Sequence, residues 1–420
     1  MLKKLFTTCR TIILIIVFLG FLCFIPFYIF FVKEQNTVSL FENRNMTVKY
    51  ELDSKNYLDN SFQDTLENVL ADQFPKRQMI VKAKKTFDRA VDLVLYGGSV
   101  SDLELTMLGD TNVYQLGTSK YMINGLMEYS EDYESRILNR ISQMNEISKD
   151  YPEIDFYLYR PVQGHETSLF DETNEVKSYG EYYNRLFIDN VDFPVAFLEI
   201  ESVEKYKEMF FSSDHHWNYR GAYQGYSDIM KLMGKENEIL VPSAINACNN
   251  YQFYGTFSNR TANVLEPDEY IMYEIDYDDT KLYVNGAEIE DVNSPKYYLS
   301  HLENYSDPYT YHYNVSYQGF SEYPYHHYVN ENEEGNILVV CDSYGAAIAN
   351  LLASSYKNSY FVNQTVYLSR MHHYFNYDEF IKEHEIDTVL FMYTIENYFA
   401  TDPEWGDIYK NFDVYRTSEE

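Results

Sequence analysis

Two stretches of this chain gather side chains suited to proton transfer and nucleophilic attack. The first is Ser212-Ser213-Asp214-His215-His216-Trp217-Asn218. An imidazole can take a proton from a hydroxyl, and a carboxylate fixes which ring nitrogen does so. Asp214 and His216, two residues apart, can face one cleft from a single loop. The same letters also suit a capped turn or a surface metal site. The second stretch, Asp342-Ser343-Tyr344-Gly345, directly follows the apolar run Asn336-Ile337-Leu338-Val339-Val340-Cys341. A serine between a buried parallel strand and a helix sits at the carboxyl edge of the sheet, where open α/β sheets bind ligands. The N–H groups of Ser343 and the residues after it would meet an oxyanion formed there. Gly345 permits close backbone approach. A serine helix cap favours the same position.

The elements around these motifs set the fold class. Residues 336–341 and 388–393 are continuous apolar runs, each next to a helical pattern, over 346–352 and 377–384. Strands without polar alternation, separated by helices, indicate a parallel sheet covered on both faces. Further strands are predicted at 154–159 and 195–199, and helices at 129–149 and 219–232. Residues 113–117 and 121–125 read as a hairpin. The stretch 240–330 is rich in Tyr, Asn and Asp, with a turn signal at Tyr283-Val284-Asn285-Gly286, and reads as an irregular, partly β insertion. A helical preface with a break at Pro75 precedes the domain and ends at Gly97-Gly98.

Residues 11–32 contain no charge and are dominated by Ile, Leu, Phe and Val. At about 1.5 Å per residue they span roughly 33 Å, enough for a bilayer core. Lys3, Lys4 and Arg10 precede the run, so the positive-inside rule keeps the N-terminus cytoplasmic and exports the rest. The length of the run and its Phe27-Tyr28-Ile29-Phe30-Phe31 end do not fit a cleaved signal peptide. The expected organisation is therefore a cytoplasmic tail (1–10), a transmembrane anchor (11–32), a stalk (33–97) and an α/β domain (98–420).

A net charge of −32 argues against nucleic acid as a partner. Four cysteines, two of them at or in the apolar run, make no disulfide framework, and there is no CxxC for zinc. Forty-four tyrosines fit either sugar-stacking surfaces or a low-GC composition bias.

Together, the Asp214-His215-His216-Trp217-Asn218 and Asp342-Ser343-Tyr344-Gly345 motifs resemble those of the DHHW family. That family is similar to the alginate O-acetyltransferase branch of the SGNH hydrolases. Phe41-Glu42-Asn43-Arg44 and Asp72-Gln73-Phe74-Pro75-Lys76-Arg77 match as well, and the resemblance spans most of the chain. It implies an SGNH-hydrolase-like three-layer α/β domain with permuted motif order. In it Asp214 orients, His216 is the base, Ser343 is the nucleophile and His215 occupies a variable position. The glycine and asparagine that complete an SGNH oxyanion hole have Gly164 and Asn397 as candidates here, beside Ser343 and Gly345. By the same resemblance the protein is a membrane-anchored serine O-acetyltransferase. It would need no cofactor and would act on a cell-surface polysaccharide outside the cell. A membrane-bound O-acyltransferase partner would supply the acetyl group. An esterase of the same fold and a non-catalytic glycan-binding scaffold are the alternatives.

The letters Asp-His-His also occur in manganese-holding DHH phosphoesterases, but those need further aspartates near the N-terminus of a cytoplasmic domain. The His pairs 215–216, 326–327 and 372–373 are not expected to bind metal, because adjacent side chains in an extended segment point apart. The topology is directly testable. Protease added to intact protoplasts should digest the domain, and the purified protein should need detergent. Recovery of a soluble form starting near residue 33 would overturn the anchor.

Overall fold

An apolar strand without polar alternation must be covered on both faces. The run Asn336–Cys341 meets this demand at the middle of a sheet in the computed structural model. The structure describes residues 2–39, 44–48, 61–96, 101, 103–109, 111–261, 267–275, 280–284, 286–289, 313 and 323–399. The chain divides into two compact units, residues 1–96 with 259–264, and 97–258 with 265–420.

In the first unit, helix α1 (Leu2–Phe31) includes a stretch, Arg10–Phe31, long and apolar enough to cross a membrane. A short ladder of β1 (Val38–Ser39) and β2 (Arg44–Asn45) follows. The predicted helical preface forms α2 (Ser61–Asp72) and α3 (Arg77–Tyr96). They are broken around Pro75, and Lys76 takes a left-handed φ of 58°. Gln73 Nε2 donates to the carbonyls of Asn36 (2.8 Å) and Thr47 (3.1 Å), and Asp72 accepts from Thr47 N (2.8 Å). The Asp72-Gln73 pair thus ties down the segment after the apolar helix. Residues 41–43 of the other motif, and Gly97-Gly98, lie outside the described residues.

The second unit opens with β3 (Leu105–Met107), β4 (Val113–Leu116) and β5 (Met122–Asn124) in an antiparallel sheet. The predicted hairpin is its β4–β5 half. Then come α4 (Glu131–Asp150), β6 (Asp155–Arg160), α5 (Gly180–Asn190), β7 (Val195–Phe197), α6 (Val203–Met209) and α7 (Tyr219–Leu232). The described part of the insertion gives an antiparallel pair, β8 (Ala244–Phe253) with β9 (Asp268–Glu274), and a hairpin of β10 (Lys281–Val284) and β11 (Ala287–Ile289). Gly286 takes the left-handed φ of 77° that this tight hairpin turn needs. β12 (Tyr325–Val329) leads into β13 (Asn336–Cys341), α8 (Ala349–Ala353), β14 (Asn358–Asn363), α9 (Gln364–Met371), α10 (Tyr377–Glu383) and β15 (Thr388–Met392).

The main sheet has eight strands in the order β11-β10-β12-β14-β13-β15-β6-β7. From β14 to β7 every pairing is parallel, which is the expected parallel sheet. Beyond β14, the strands β12, β10 and β11 extend it antiparallel, so the whole sheet is mixed. Side chains of β13 alternate between two cores. Ile337, Val339 and Cys341 pack with Trp217, Tyr226 and Ile229. Leu338 and Val340 pack with Ile137, Ile141 and Phe187 on the other face. The result is the three-layer helix–sheet–helix arrangement. Leu338 is fully buried, so Leu338→Ala should destabilise the domain by about 2–5 kcal/mol. The measurement is a lowered urea midpoint at unchanged slope.

Candidate active site

At the end of β13 the chain turns at once. Residues Ser343–Ala347 form a 3-10 turn, with α8 following, rather than one helix over 346–352. Asp342 caps the turn. Its carboxylate accepts from Tyr344 N (3.0 Å), Thr394 N (2.8 Å), Thr394 Oγ1 (2.9 Å) and Asn397 Nδ2 (2.8 Å). Burial raises this carboxyl's pKa even against those bonds. Gly345 donates its N–H to the Asp342 carbonyl at 3.1 Å. A Cβ on Gly345 would lie 2.3 Å from Cys341 Sγ, so only glycine lets the turn fold back onto its own strand. Ser343 is thereby held at the carboxyl end of β13. There the next strand lies on one side and the one after it on the other, as at the ligand crevice of open α/β sheets.

The facing loop is closed by an antiparallel bridge between Phe210 and Trp217. Ser212 and Ser213 each give an N–H and a hydroxyl to the Asp268 carboxylate on β9, at 2.5–3.0 Å. Asp214 Oδ1 accepts from His216 N (3.0 Å) and lies 2.5 Å from His216 Nδ1. Its Oδ2 accepts from Thr256 N (2.6 Å). His216 Nε2 is 2.7 Å from Ser343 Oγ. The His216 ring lies flat on Tyr313, with centroids 3.8 Å apart. Asp214 and His216 are each 1% exposed. Burial pushes Asp214 up, yet the His215 and His216 rings, with the bonds from His216 and Thr256, outweigh it. The carboxyl is held well below the usual range. With Asp214 ionised, His216 Nδ1 carries the proton and Nε2 offers its lone pair to the Ser343 hydroxyl.

The rest of the motif supports this loop. Trp217 is fully buried and meets the Tyr344 ring edge-on at 5.1 Å. Gly225 makes room for it, since a Cβ there would sit 2.5 Å from the indole. Asn218 caps α7, accepting from Arg220 N (2.9 Å) and Gly221 N (3.2 Å). The Tyr344 hydroxyl donates to the His215 carbonyl, joining the two motifs. His215 is partly exposed, with Nδ1 3.5 Å from Asp214 Oδ1.

The structure therefore brings Asp214, His216 and Ser343 into one hydrogen-bonded series. Among the oxyanion candidates, the Gly345 N–H is engaged by Asp342, and the Asn397 amide is also turned onto Asp342. Gly164 opens a 3-10 turn beyond β6, two strands from β13. Next to it, His165 Nε2 lies 2.9 Å from Glu396 Oε1, tying the loop after β6 to the turn after β15. Sequence reasoning missed Thr256, Asp268 and Tyr313. They come from a Tyr-, Asn- and Asp-rich stretch in which no local pattern distinguishes them from their neighbours.

Ligand atoms of Asp214, His215 and His216 lie within 4.8 Å of one another, a spacing open to a metal ion. However, Asp214 Oδ1 and both His216 nitrogens already take part in the series with Ser343. The other His pairs do not converge on it. His326 is buried, while His327 stacks on Tyr360 and meets Asn358. His372 ends α9 in a left-handed conformation.

No protein-family model matches the chain, and no curated protein does. Solved structures do. Bacillus cereus PatB1 is 20% identical, with a TM-score of 0.53 over 69% of this chain and 96% of that one. The same protein carrying a sulfonyl adduct gives 18% and 0.52. A DHHW family protein from Eubacterium siraeum is 16% identical, with a TM-score of 0.52 over 75% of this chain and 98% of that one. This chain shares the fold of these structures. The likeness covers nearly the whole of each of those chains and agrees with the resemblance drawn from the motifs.

The depressed Asp214 carboxyl has a consequence for stability. A carboxyl whose pKa is lower in the folded state stabilises the fold above its unfolded pKa of about 3.9, and this is lost as pH falls toward the folded value. Asp214→Asn should therefore lower the melting temperature near neutral pH. The gap from wild type should narrow as pH drops below about 4. A gap independent of pH would show that the carboxylate charge contributes nothing.

Proposed function

We propose that the protein is a membrane-tethered serine O-acetyltransferase acting outside the cytoplasm on a cell-surface polysaccharide. One observation carries the reading: the 2.7 Å and 2.5 Å contacts that link Ser343, His216 and Asp214 at the carboxyl edge of a parallel sheet. Such a series makes a serine nucleophilic. The apolar helix supports membrane attachment, and the charges before it support a cytoplasmic N-terminus.

In this reading, Ser343 Oγ attacks the carbonyl carbon of an acetyl donor while its proton passes to His216 Nε2. Asp214 stabilises the imidazolium. Negative charge gathers on the former carbonyl oxygen. Tyr344 and Gly345 give their N–H groups to Asp342, so Ser343 N–H and Gly164 N–H are the donors we assign to that oxygen. The donor's C–O bond then breaks, and its oxygen takes the proton from His216, leaving acetyl-Ser343. A sugar hydroxyl attacks next, giving its proton to His216, which returns it to Ser343 Oγ as the ester leaves. By resemblance to the alginate O-acetyltransferase branch, the acetyl group would come from a membrane-bound O-acyltransferase partner.

The full-length protein in detergent should release p-nitrophenol from p-nitrophenyl acetate. Serine and histidine act as one unit, so Ser343→Ala and His216→Ala should each lower the rate by about a thousandfold or more. The double variant should lose little beyond either. Asp214→Asn should also be damaging, through the wrong tautomer, whereas His215→Ala should matter least. Added glycan fragments should gain acetyl groups by mass spectrometry. Equal rates for wild type and Ser343→Ala would remove the enzyme reading and leave a glycan-binding protein. Ester cleavage without transfer to any glycan would leave an esterase.

A further inference from the structure

We propose that Tyr129, Tyr179 and Tyr182 form a cup that binds a neutral pyranose polymer at the same edge of the sheet as Ser343. This rests on the reading above that the acceptor is a polysaccharide, and it adds a site for the chain of that acceptor.

Tyrosine is a core residue in much of this protein, with Tyr159, Tyr183, Tyr226, Tyr328 and Tyr398 all buried. These three are different. They are 48%, 45% and 40% exposed, yet their rings touch one another. Tyr129 lies 5.6 Å from Tyr179 and 5.8 Å from Tyr182 between centroids, and Tyr179 lies 6.5 Å from Tyr182. The rings cross at 47–80°, which makes a faceted hollow rather than a flat plate. An exposed, contiguous aromatic patch marks a binding surface, and Tyr offers an apolar face with a polar rim at little entropic cost. The C–H face of a pyranose packs on such a ring while its hydroxyls reach the edge. The rings are also held in place. Glu134 Oε2 accepts from the Tyr129 hydroxyl at 2.8 Å. That bond pushes the hydroxyl's pKa up to about 12, and Glu134 raises Tyr182's as well.

The position fits an acceptor site. Tyr129 precedes the first turn of α4, and Tyr179 and Tyr182 begin α5. Both helix starts lie at the end of the sheet where β6 finishes, because α4 leads back into β6 and α5 follows it. Backbone bonds join Tyr179 N to Met127 O (2.7 Å) and Met127 N to His165 O (3.2 Å), tying the cup to the loop that carries Gly164. From the same helix, Tyr133 stacks on Phe399 at 4.0 Å. Phe399 is two residues past Asn397, which holds the Asp342 carboxylate next to Ser343. Glu128, beside Tyr129 in the chain, also lines a cleft of about 310 Å³ with Asn112, Tyr114 and Thr173. Charge selects the polymer. Glu131 and Glu134 act on the Tyr129 hydroxyl, and the whole chain carries −32, so a polyanion is repelled.

The test uses full-length Ser343→Ala protein in a detergent without a sugar head group, so binding is read separately from any chemistry. Hexamers of β-1,4-linked glucose, β-1,4-linked N-acetylglucosamine and galacturonate are titrated calorimetrically. At least one neutral hexamer should bind, and the galacturonate hexamer should bind more weakly. Adding Tyr129→Ala and Tyr182→Ala should weaken the neutral ligand by about tenfold or more, the loss of two ring contacts. Tyr182→Trp, which keeps a stacking face, should retain binding. Melting temperatures and far-ultraviolet spectra confirm that each variant is folded. The cup is overturned if neither neutral hexamer binds, if the alanine variants bind like their parent, or if galacturonate is preferred. Failure of ester cleavage with the cup intact would instead overturn only the acyl-transfer chemistry.

Discussion

A carboxylate that is 1% exposed keeps its charge only if its surroundings replace the water it has lost, and Asp214 sets that condition for the whole site. Three hydrogen bonds do so, from His216 N, His216 Nδ1 and Thr256 N. Were any donor displaced, the carboxyl would tend to protonate, and His216 would lose the partner that fixes its tautomer. The position of Ser343 relative to a usable imidazole lone pair therefore depends on the loop around Asp214 staying closed. That explains why so much of the polar interior is devoted to this loop. Asp268 takes four bonds from Ser212 and Ser213, and Gly255 donates its N–H to Ser213 Oγ. Close approach matters as much as bonding, since a Cβ on Gly255 would lie 2.3 Å from the Asp214 side chain.

Two buried carboxylates thus do opposite work. Asp214 is surrounded by histidines and held ionised, in the hydrogen-bonded series with His216 and Ser343. Asp342 receives only neutral donors, and burial raises its pKa. Its task is geometric: it gathers the ends of β13 and β15 so that Ser343 has one orientation. The insertion, read from sequence as an irregular addition, supplies Thr256, Asp268 and Tyr313 to the site, and of these only Asp268 lies on a strand, β9. In physical terms the insertion is part of the wall that keeps water from Asp214.

The fold was legible where periodicity is strong. Residues 336–341 and 388–393 lack polar alternation because both faces of β13 and β15 are covered, and helix 219–232 is amphipathic across its whole length. β14 was not legible. Asn358-Ser359-Tyr360-Phe361-Val362-Asn363 is short, bounded by Asn, and declares itself only by pairing with β13 and β12. Asp214, His216 and Ser343 stood out because their residue types are diagnostic in combination, and the structure sets them side by side. The supports did not stand out, because a lone Asp268 or Tyr313 is chemically ordinary until the chain returns it to the loop. Asn397 shows the limit from the other side. Its place after β15 was readable, but the direction of its amide, onto Asp342, is a matter of packing.

The pairing of β6 with β15 joins residues 155–159 to 388–392. Between them lie β13, β14 and the entire insertion, so the parallel sheet stays split until β15 has been synthesised. Loop-closure entropy makes such distant pairing slow. During that interval β6 presents an apolar strand with an unpaired edge, the kind of surface that chaperones retain and that aggregates if they do not. Ribosome pausing or truncation shortly before residue 388 would therefore leave a chain with most of its helices made and its central layer split. Quality control would meet a chain whose central layer is joined only when β15 closes the gap between β13 and β6.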